Sequence, residues 1–556
     1  MSWRSIPLRV WAVVLAGLLA WCGTPGAHAQ GGEPRTFAIR GAKVVPVSSA
    51  PIENATVVIS RGLIVGVGMN VTVPPDAWVI EGKGLTVYPG LIDGFTDVGM
   101  AAPAAPSGEG GQKPQLVSHG PEDRPATTPW RNAADEVNPG DPRVETWRSA
   151  GFTTVVAAPK GGMFPGQAAV LDLGGERAGE LVVKSPVAVP TTLDAPGGFR
   201  NYPGSLMGAI AYVRQVWIDA NWETQARAIY EKNSRATERP KYDRSDAALA
   251  EALGKHAVVL IPGNSSLQIE RALRLAEEWK LNAVLYGGQM GYEVAPDIAA
   301  KKVPVLVNLK WPEASKDADP EDTPSLRELR FRDRAPSSPA TLEKAGVKFA
   351  FYSGGIAAPK DILPAVKKAI DAGLSPDAAL RALTLSPAEI FGVSQTMGSI
   401  ENGKIANLAV TDGDLFDKKT QMKMVFVDGR KYEVREVLRP SEPPKGDLTG
   451  KWTLKFTTQQ GEEQASADLV MEPDGTLTGT VTSDRGTGSV FSAWVSGDKF
   501  SFTINIPIEG GASDVVFTGT FEGTSMKGSI SALGYRFDFS GTKPSASFTT
   551  FGGGAQ

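Results

Sequence analysis

The chain has 556 residues, 42% hydrophobic and 21% charged, a globular composition rather than a disordered or collagen-like one. That length allows two to four domains at roughly 100–200 residues each. Lys and Arg number 57 against 61 Asp and Glu, a formal charge of −4, so no broad basic field exists to hold a nucleic-acid backbone and no nucleic-acid partner is expected.

The amino terminus reads as an address. Arg4 and Arg9 flank the start of an apolar run, Val10 to Ala20, which is too short to span a bilayer comfortably. Ala27-His28-Ala29 before Gln30 has the small-x-small form of a cleavage site. Residues 1–29 are therefore expected to be a signal peptide, the protein exported to a periplasm or the medium, and no stable membrane anchor left after cleavage. Trp21 stands where a lipoprotein signal wants a small residue, which argues against a lipid at Cys22. Cleavage removes Cys22, the only cysteine, and His28. The mature chain keeps two histidines, His119 and His256, and neither a disulfide nor a thiolate metal site is expected.

Residues 36–88 carry short β-branched runs bounded by Gly, Pro and Asn, as in Ala42–Val47, Ala55–Ile59 and Gly62–Gly68, and these predict strands. From 89 to 392 apolar strands alternate with helical patterns. The candidate strands are Thr153–Ala157, Val182–Val189, Ala257–Ile261, Ala283–Tyr286, Val303–Leu309 and Val347–Tyr352. Leu206, Ile210, Val213 and Trp217 repeat on one helix face. Gly373 closes one helix, and Ser375-Pro376 opens another. Such alternation over about 300 residues predicts an α/β fold, a (β/α)8 TIM-like barrel. The Ala/Pro/Gly-rich stretch 101–127 and the charged, Pro-rich stretch 313–336 are read as long loops at the barrel mouth.

Residues 436–446, with Pro440, Pro443 and Pro444, read as a stiff linker. From 447 to 544 the period changes to two: Trp452, Leu454 and Phe456 on one face, Lys451, Thr453 and Lys455 on the other. Turn signals at Pro473-Asp474-Gly475, Ser496-Gly497-Asp498 and Glu522-Gly523 complete the pattern of an antiparallel β-barrel or sandwich. Its opening, Gly450-Lys451-Trp452, resembles the Gly-x-Trp start of lipocalin-like barrels.

The segment Val87-Tyr-Pro-Gly-Leu-Ile-Asp93 resembles the first barrel strand of the amidohydrolase superfamily, close to its imidazolonepropionase-like members. Five further segments extend the resemblance over 36–435: Asn138-Pro-Gly-Asp-Pro142, Ala150-Gly-Phe-Thr-Thr-Val155, Gly161-Gly-Met-Phe-Pro-Gly-Gln167, Leu383-Thr-Leu-Ser-Pro-Ala-Glu389 and Gly398-Ser-Ile-Glu-Asn-Gly-Lys-Ile-Ala-Asn-Leu408. The resemblance implies a small β-sandwich made of 36–88 and 393–435, packed on a barrel of 89–392. It also implies hydrolysis of non-peptide carbon–nitrogen bonds by one or two divalent metals, held by a His-x-His, two later histidines and a last-strand aspartate. Such a metal lowers the pKa of a bound water to about 7, and the carboxylate moves its proton.

That ligand set does not appear here. The His-x-His positions read Phe95-Thr96-Asp97, and later ligand positions read Pro262, Tyr286 and Gly354. Two mature histidines cannot supply four ligands, so no metal and no cofactor is expected. His256 is read as a strand-start residue facing away from the mouth, His119 as a loop histidine within reach of it, and Asp93 as structural. Glu293 and Asp297 are read as a solvated helix face. An all-carboxylate magnesium or calcium site is physically possible, though no spacing indicates one. Asp97, His119, Tyr286 and Ser353 remain as candidates to bind a small polar molecule in the mouth, and no catalytic residue is assigned. Two functions follow: a hydrolase by family resemblance, or a non-catalytic ligand-binding pseudoenzyme, which the missing ligands favour.

Overall fold

The computed structural model describes residues 36–100, 124, 127–193, 203–254, 257–314, 323–434, 442–458, 461–472, 475–484, 486–508, 511–532 and 535–544. The proposed signal peptide, all three histidines and most of the linker lie outside them. The chain parts into two compact units after Val434. Among the described residues no helix is long and apolar enough to cross a membrane.

The first unit opens with β1 (Thr36–Val44), β2 (Ile52–Ser60), β3 (Leu63–Gly68), β4 (Trp78–Glu81) and β5 (Thr86–Pro89). Eight barrel strands follow: β6 (Leu91–Thr96), β7 (Phe152–Ala157), β8 (Ala168–Asp172), β9 (Val182–Pro190), β10 (Val258–Gly263), β11 (Ala283–Gly287), β12 (Val305–Asn308) and β13 (Phe349–Tyr352). The chain then returns as β14 (Leu408–Thr411), β15 (Met422–Val427) and β16 (Arg430–Glu433).

Both flanks share one hydrogen-bonded sheet in the order β16-β15-β14-β5-β1-β2-β3, with β4 beside β1. Phe37 of β1 meets Phe426 of β15 edge-on at 5.4 Å, although β5 and β14 lie between their strands. The sheet therefore curls over its own apolar core of Ile39, Val57, Ile59, Leu408 and Val410.

The barrel strands run in sequence order, β6 to β13. Strands β7, β10 and β13 are buried on both faces, as strands covered by helices must be. Val258 and Leu260 point to the barrel interior, while Val259 and Ile261 meet the helix layer. Each such side chain contributes about 1.5–3 kcal/mol by leaving water.

Three details depart from the sequence reading. Strand β8 was not anticipated, and it runs antiparallel to both β7 and β9, so the strand–helix alternation breaks once. Its five residues carry little periodicity. Part of the expected loop 313–336 is helical, Leu326–Arg334, capped by the Ser325 hydroxyl on Glu328 N–H. In the long helix Leu206–Lys232, Val213 and Trp217 are buried as expected beside Ala209, Tyr212, Val216 and Ala220, but Leu206 is exposed because it begins the helix.

A polar rivet joins the returning sheet to the barrel. Asn407 donates through Nδ2 to Asp172 Oδ1 at 2.9 Å and to Thr154 Oγ1 at 3.2 Å. Its Oδ1 accepts from Asp428 N–H at 2.8 Å, and its carbonyl accepts from Gly90 N–H at 2.8 Å. Thr154 also donates to Asp172, at 2.7 Å. Burial pushes the Asp172 carboxyl up to about 6, against these hydrogen bonds and with help from nearby Asp428.

The second unit contains β17 (Gly450–Thr458), β18 (Gly461–Met471), β19 (Leu477–Ser483), β20 (Gly486–Ser496), β21 (Lys499–Ile508), β22 (Gly511–Glu522), β23 (Ser525–Ala532) and β24 (Tyr535–Thr542). Each pairs antiparallel with the next, and β24 returns to β17, so the barrel is closed and has no edge. Trp452 and Leu454 point inward as the alternation requires, and Gly497 and Gly523 take the left-handed turn positions. Phenylalanines fill much of the interior. Phe500, Gly519, Gly528 and Phe539 face one another across four strands, and the two rings meet at 6.3 Å beside the glycine pair. A Cβ on Gly519 would lie 2.2 Å from the Lys527 carbonyl, and one on Gly528 2.0 Å from that of Thr518, so this approach of β22 and β23 tolerates only glycine.

Candidate functional site

The strand ends of the first barrel converge on Phe95, Asp97, Pro262, Tyr286, Asn308 and Tyr352. Phe95 sits 5.3 Å from the ring of Tyr286 and 5.9 Å from that of Tyr352, with tilted planes. These three rings come from β6, β11 and β13, so they meet across the barrel rather than along one wall. The Tyr286 hydroxyl donates to the Thr191 carbonyl at 3.1 Å. The Tyr352 hydroxyl is pushed up by burial, against a hydrogen bond with Asn308. Pro262, beside Tyr286 in the β10–β11 ladder, adds no donor atom.

At the rim, Asp97 is held by two cations. Lys160 Nζ lies 2.8 Å from its Oδ2, and Arg143 Nη1 lies 3.1 Å from its Oδ1. Burial alone would raise the Asp97 carboxyl, but Lys160 and then Arg143 outweigh it and hold it below the usual carboxylate range. Arg143 is itself fixed by Asp141, which caps the helix Pro142–Ser149 and accepts from Gly99 N–H at 3.0 Å. The segment Asn138–Pro142 thus aims an arginine at the rim.

Ser353 is not a free mouth residue. It is buried, and its N–H donates to Asp93 Oδ1 at 2.9 Å. Asp93 also accepts from Trp147 Nε1 at 3.3 Å. Burial raises the Asp93 carboxyl, and the Ser353 and Trp147 hydrogen bonds oppose the shift. This carboxyl ties β6 to the end of β13, the first and last strands of the nearly closed barrel. Glu293 stands in a one-turn 3-10 segment and Asp297 on the helix Ala295–Lys301, neither in the ring cluster. His119 and His256 lie outside the described residues.

Gly354 has a stated physical reason. Its φ is +58°, and a Cβ there would fall 1.9 Å from Asn308 Oδ1. Asn308 is fixed in turn, its Oδ1 accepting from Lys310 N–H at 2.7 Å and its carbonyl from Gln289 Nε2 at 3.0 Å. The position where the resemblance expects a general base therefore has no room for a side chain.

Sequence reasoning missed Lys160, Arg143, Asn308 and Tyr352. The Asp141-Pro142 helix start marked where Arg143 would lie. Nothing in the sequence marked Lys160 or Asn308: the first acts across loops distant in sequence, the second against the end of the adjacent strand.

Among the described residues no three His, Cys, Asp or Glu side chains come together as a metal-holding group. A catalytic zinc needs about three protein ligands. Asp97 already has two cationic partners. What the arrangement offers is a partly exposed aromatic floor beside an ion-paired rim.

The amidohydrolase family model matches residues 322–448, the span that holds β13 and the return strands β14–β16. No curated protein matches the chain. Among solved structures, an amidohydrolase from Thermotoga maritima is 25% identical, with a TM-score of 0.60 over 72% of this chain and 100% of that one. A molinate hydrolase is 16% identical, with a TM-score of 0.44, over 72% and 95%. A zinc-bound adenosine deaminase from Xanthomonas campestris is 15% identical, with a TM-score of 0.41, over 72% and 94%. The last two are too distant to bear on chemistry. The nearly closed barrel, the sheet drawn from both its flanks, the family match over 322–448 and the Thermotoga structure agree: the chain is similar to the amidohydrolases.

Proposed function

We propose that the barrel mouth binds a small polar molecule and that the chain does not hydrolyse carbon–nitrogen bonds through a histidine-held metal. The observation that carries this is the Phe95–Tyr286–Tyr352 cluster, which fills the strand ends where such a metal would need ligands. The rings suit the apolar part of a ligand, and Lys160, 64% exposed at its side chain, suits a carboxylate or other anionic group. A second reading, hydrolysis at an altered centre, has the support of the family match and the Thermotoga amidohydrolase.

One experiment separates the two. The purified protein is dialysed against a mild chelator, analysed for metals, and assayed on lactams, cyclic imides and N-acyl amino acids with added zinc, manganese or magnesium, beside Asp97→Ala. The binding reading expects no stoichiometric metal and no metal-dependent turnover. Metal-dependent turnover abolished by Asp97→Ala overturns it and makes Asp97 the anchor of a reduced metal site. We also propose export with cleavage after Ala29, motivated by the charged start, the short apolar run and Ala27-His28-Ala29. Mass spectrometry of the exported protein should find Gln30 first, and retention of residues 1–29 would refute it.

A further inference from the structure

The second barrel has its own concave feature, unconnected with the chemistry of the first. A groove of about 700 Å³ lies on strands β20 to β24. Its charged lining is Lys499, Lys527, Arg536 and Asp538, with Trp494 at one side and Phe500 and Phe539 beside the Gly519–Gly528 pair. The charged residues and Trp494 belong to the outer face. Lys499, Lys527, Arg536 and Asp538 are exposed, while Phe500, Met526 and Phe539, their neighbours in sequence or one residue on, are buried in the core.

The charges on this face are unevenly placed. From residue 442 onward the chain carries eight Lys and Arg against thirteen Asp and Glu. Three of those eight cations line this one groove, with a single carboxylate among them. Among the described residues Lys499, Lys527 and Arg536 form no ion pair, whereas Lys445, Lys451 and Lys455 lie elsewhere on the barrel. Grouping unpaired like charges on an otherwise acidic body costs free energy, and an anionic ligand offsets that cost.

The rest of the lining narrows the class. Lys499, Thr520 and Lys527 form one cross-strand row, so the two lysines stand two strand spacings apart, roughly 10 Å, with a hydroxyl between them. In the next row Thr518 and Ser529 share a hydrogen bond of 3.3 Å and line the groove. Hydroxyls alternate with cations, and Trp494 presents a flat apolar ring at one side. That combination recognises a molecule rich in hydroxyls, with flat apolar ring faces and sparse negative charge. A nucleic acid is disfavoured because its closely spaced phosphates need a broad cationic track, and this barrel is acidic beyond the groove. We infer that the outer groove of the second barrel is a binding site for acidic saccharides, in which Lys499, Lys527 and Arg536 hold carboxylates and Trp494 stacks on a sugar ring.

The test uses the full chain and isothermal titration at low salt. The probes are galacturonic acid, a tetramer of galacturonic acid, a neutral galactose tetramer and a short oligothymidylate. Binding of the acidic tetramer, weakened at least tenfold by the Lys499→Gln/Lys527→Gln double variant and by added salt, is the expected result. Lys451→Gln, on an exposed site outside the groove, should leave binding unchanged. Trp494→Ala should weaken the tetramer without abolishing the salt dependence. All substituted lysines are exposed, and unchanged cooperative unfolding of each variant verifies that the barrel is intact. Comparable binding of the monomer assigns the site to free sugar acids, and preference for the tetramer assigns it to a polymer. No binding of either acid, equal binding of the neutral tetramer, tighter binding of oligothymidylate, or a double variant that binds like the parent each overturns the proposal.

Discussion

The seams of the α/β barrel and its mouth are made from the same strands, yet they treat polar residues in opposite ways. At the seams, Asp93 joins the first strand to the last, and Asp172 with Thr154 and Asn407 fastens the barrel to the returning sheet. These carboxyls are buried, fully engaged and raised by desolvation. At the mouth, the positions of the expected metal ligands hold rings, a proline and a glycine, and the one carboxylate, Asp97, is neutralised by Lys160 and Arg143. The difference teaches what the family resemblance rests on. Asp93, Asp141 and Asn407 all lie in the segments that carry it, and all three hold parts of the fold together. These residues serve the fold, and a fold alone does not fix function.

That contrast can be broken at four points. The largest effect is expected at Asp93. Replacing it by Ala leaves the Ser353 and Trp147 N–H groups buried without an acceptor and should destabilise the first unit by about 3 kcal/mol, read as an earlier first transition in urea. A change below about 1 kcal/mol would mean that β6 and β13 hold together without this carboxyl. Next, Gly354→Ala should cost about 2 kcal/mol, from the left-handed backbone and the Asn308 contact. Adding Asn308→Ala should recover part of that loss in a double-mutant cycle, whereas strict additivity would show that the contact does not limit the site.

The third test is pH. Asp172 binds its proton more tightly in the fold, near pH 6, than in the unfolded chain, near 3.8. Its protonation therefore favours the folded state, fully below about 3.8, and the benefit is lost as pH rises through 6. Relative to Asp172→Asn, the parent should gain on the order of 1 kcal/mol of stability between pH 7 and pH 5. Parallel stability–pH curves for the two proteins would contradict this. The smallest effect is at the mouth. Asp97→Ala removes half-exposed ion pairs and should change unfolding free energy by less than about 1 kcal/mol. A loss as large as that at Asp93 would make Asp97 structural and erase the contrast.

Much of the architecture was legible because apolar periodicity reports burial directly. The strand–helix alternation gave the first barrel, and the Trp452–Leu454 alternation with its turn signals gave a second β unit whose closure the sequence could not decide. Strand β8 was not legible. Ala168–Asp172 is short and apolar in its first four residues, and its antiparallel direction depends on its pairing with β7 and β9. The site divides the same way. The residues at the expected ligand positions could be named from the sequence, whereas their contacts could not. Lys160 reaches Asp97 from a loop over sixty residues away, and Asn308 reaches Gly354 from the adjacent strand end.

The Asn308–Gly354 contact also bears on the order of substitutions. Starting from this chain, a single substitution at 354 meets an occupied site before any metal or base can be tested, because Asn308 holds that space through its own backbone partners. An aspartate at 354 would first need a smaller residue at 308, so the two positions can change only in that order. Packing of this kind makes substitutions order-dependent: what one position accepts is set by the neighbour that already fills the space beside it.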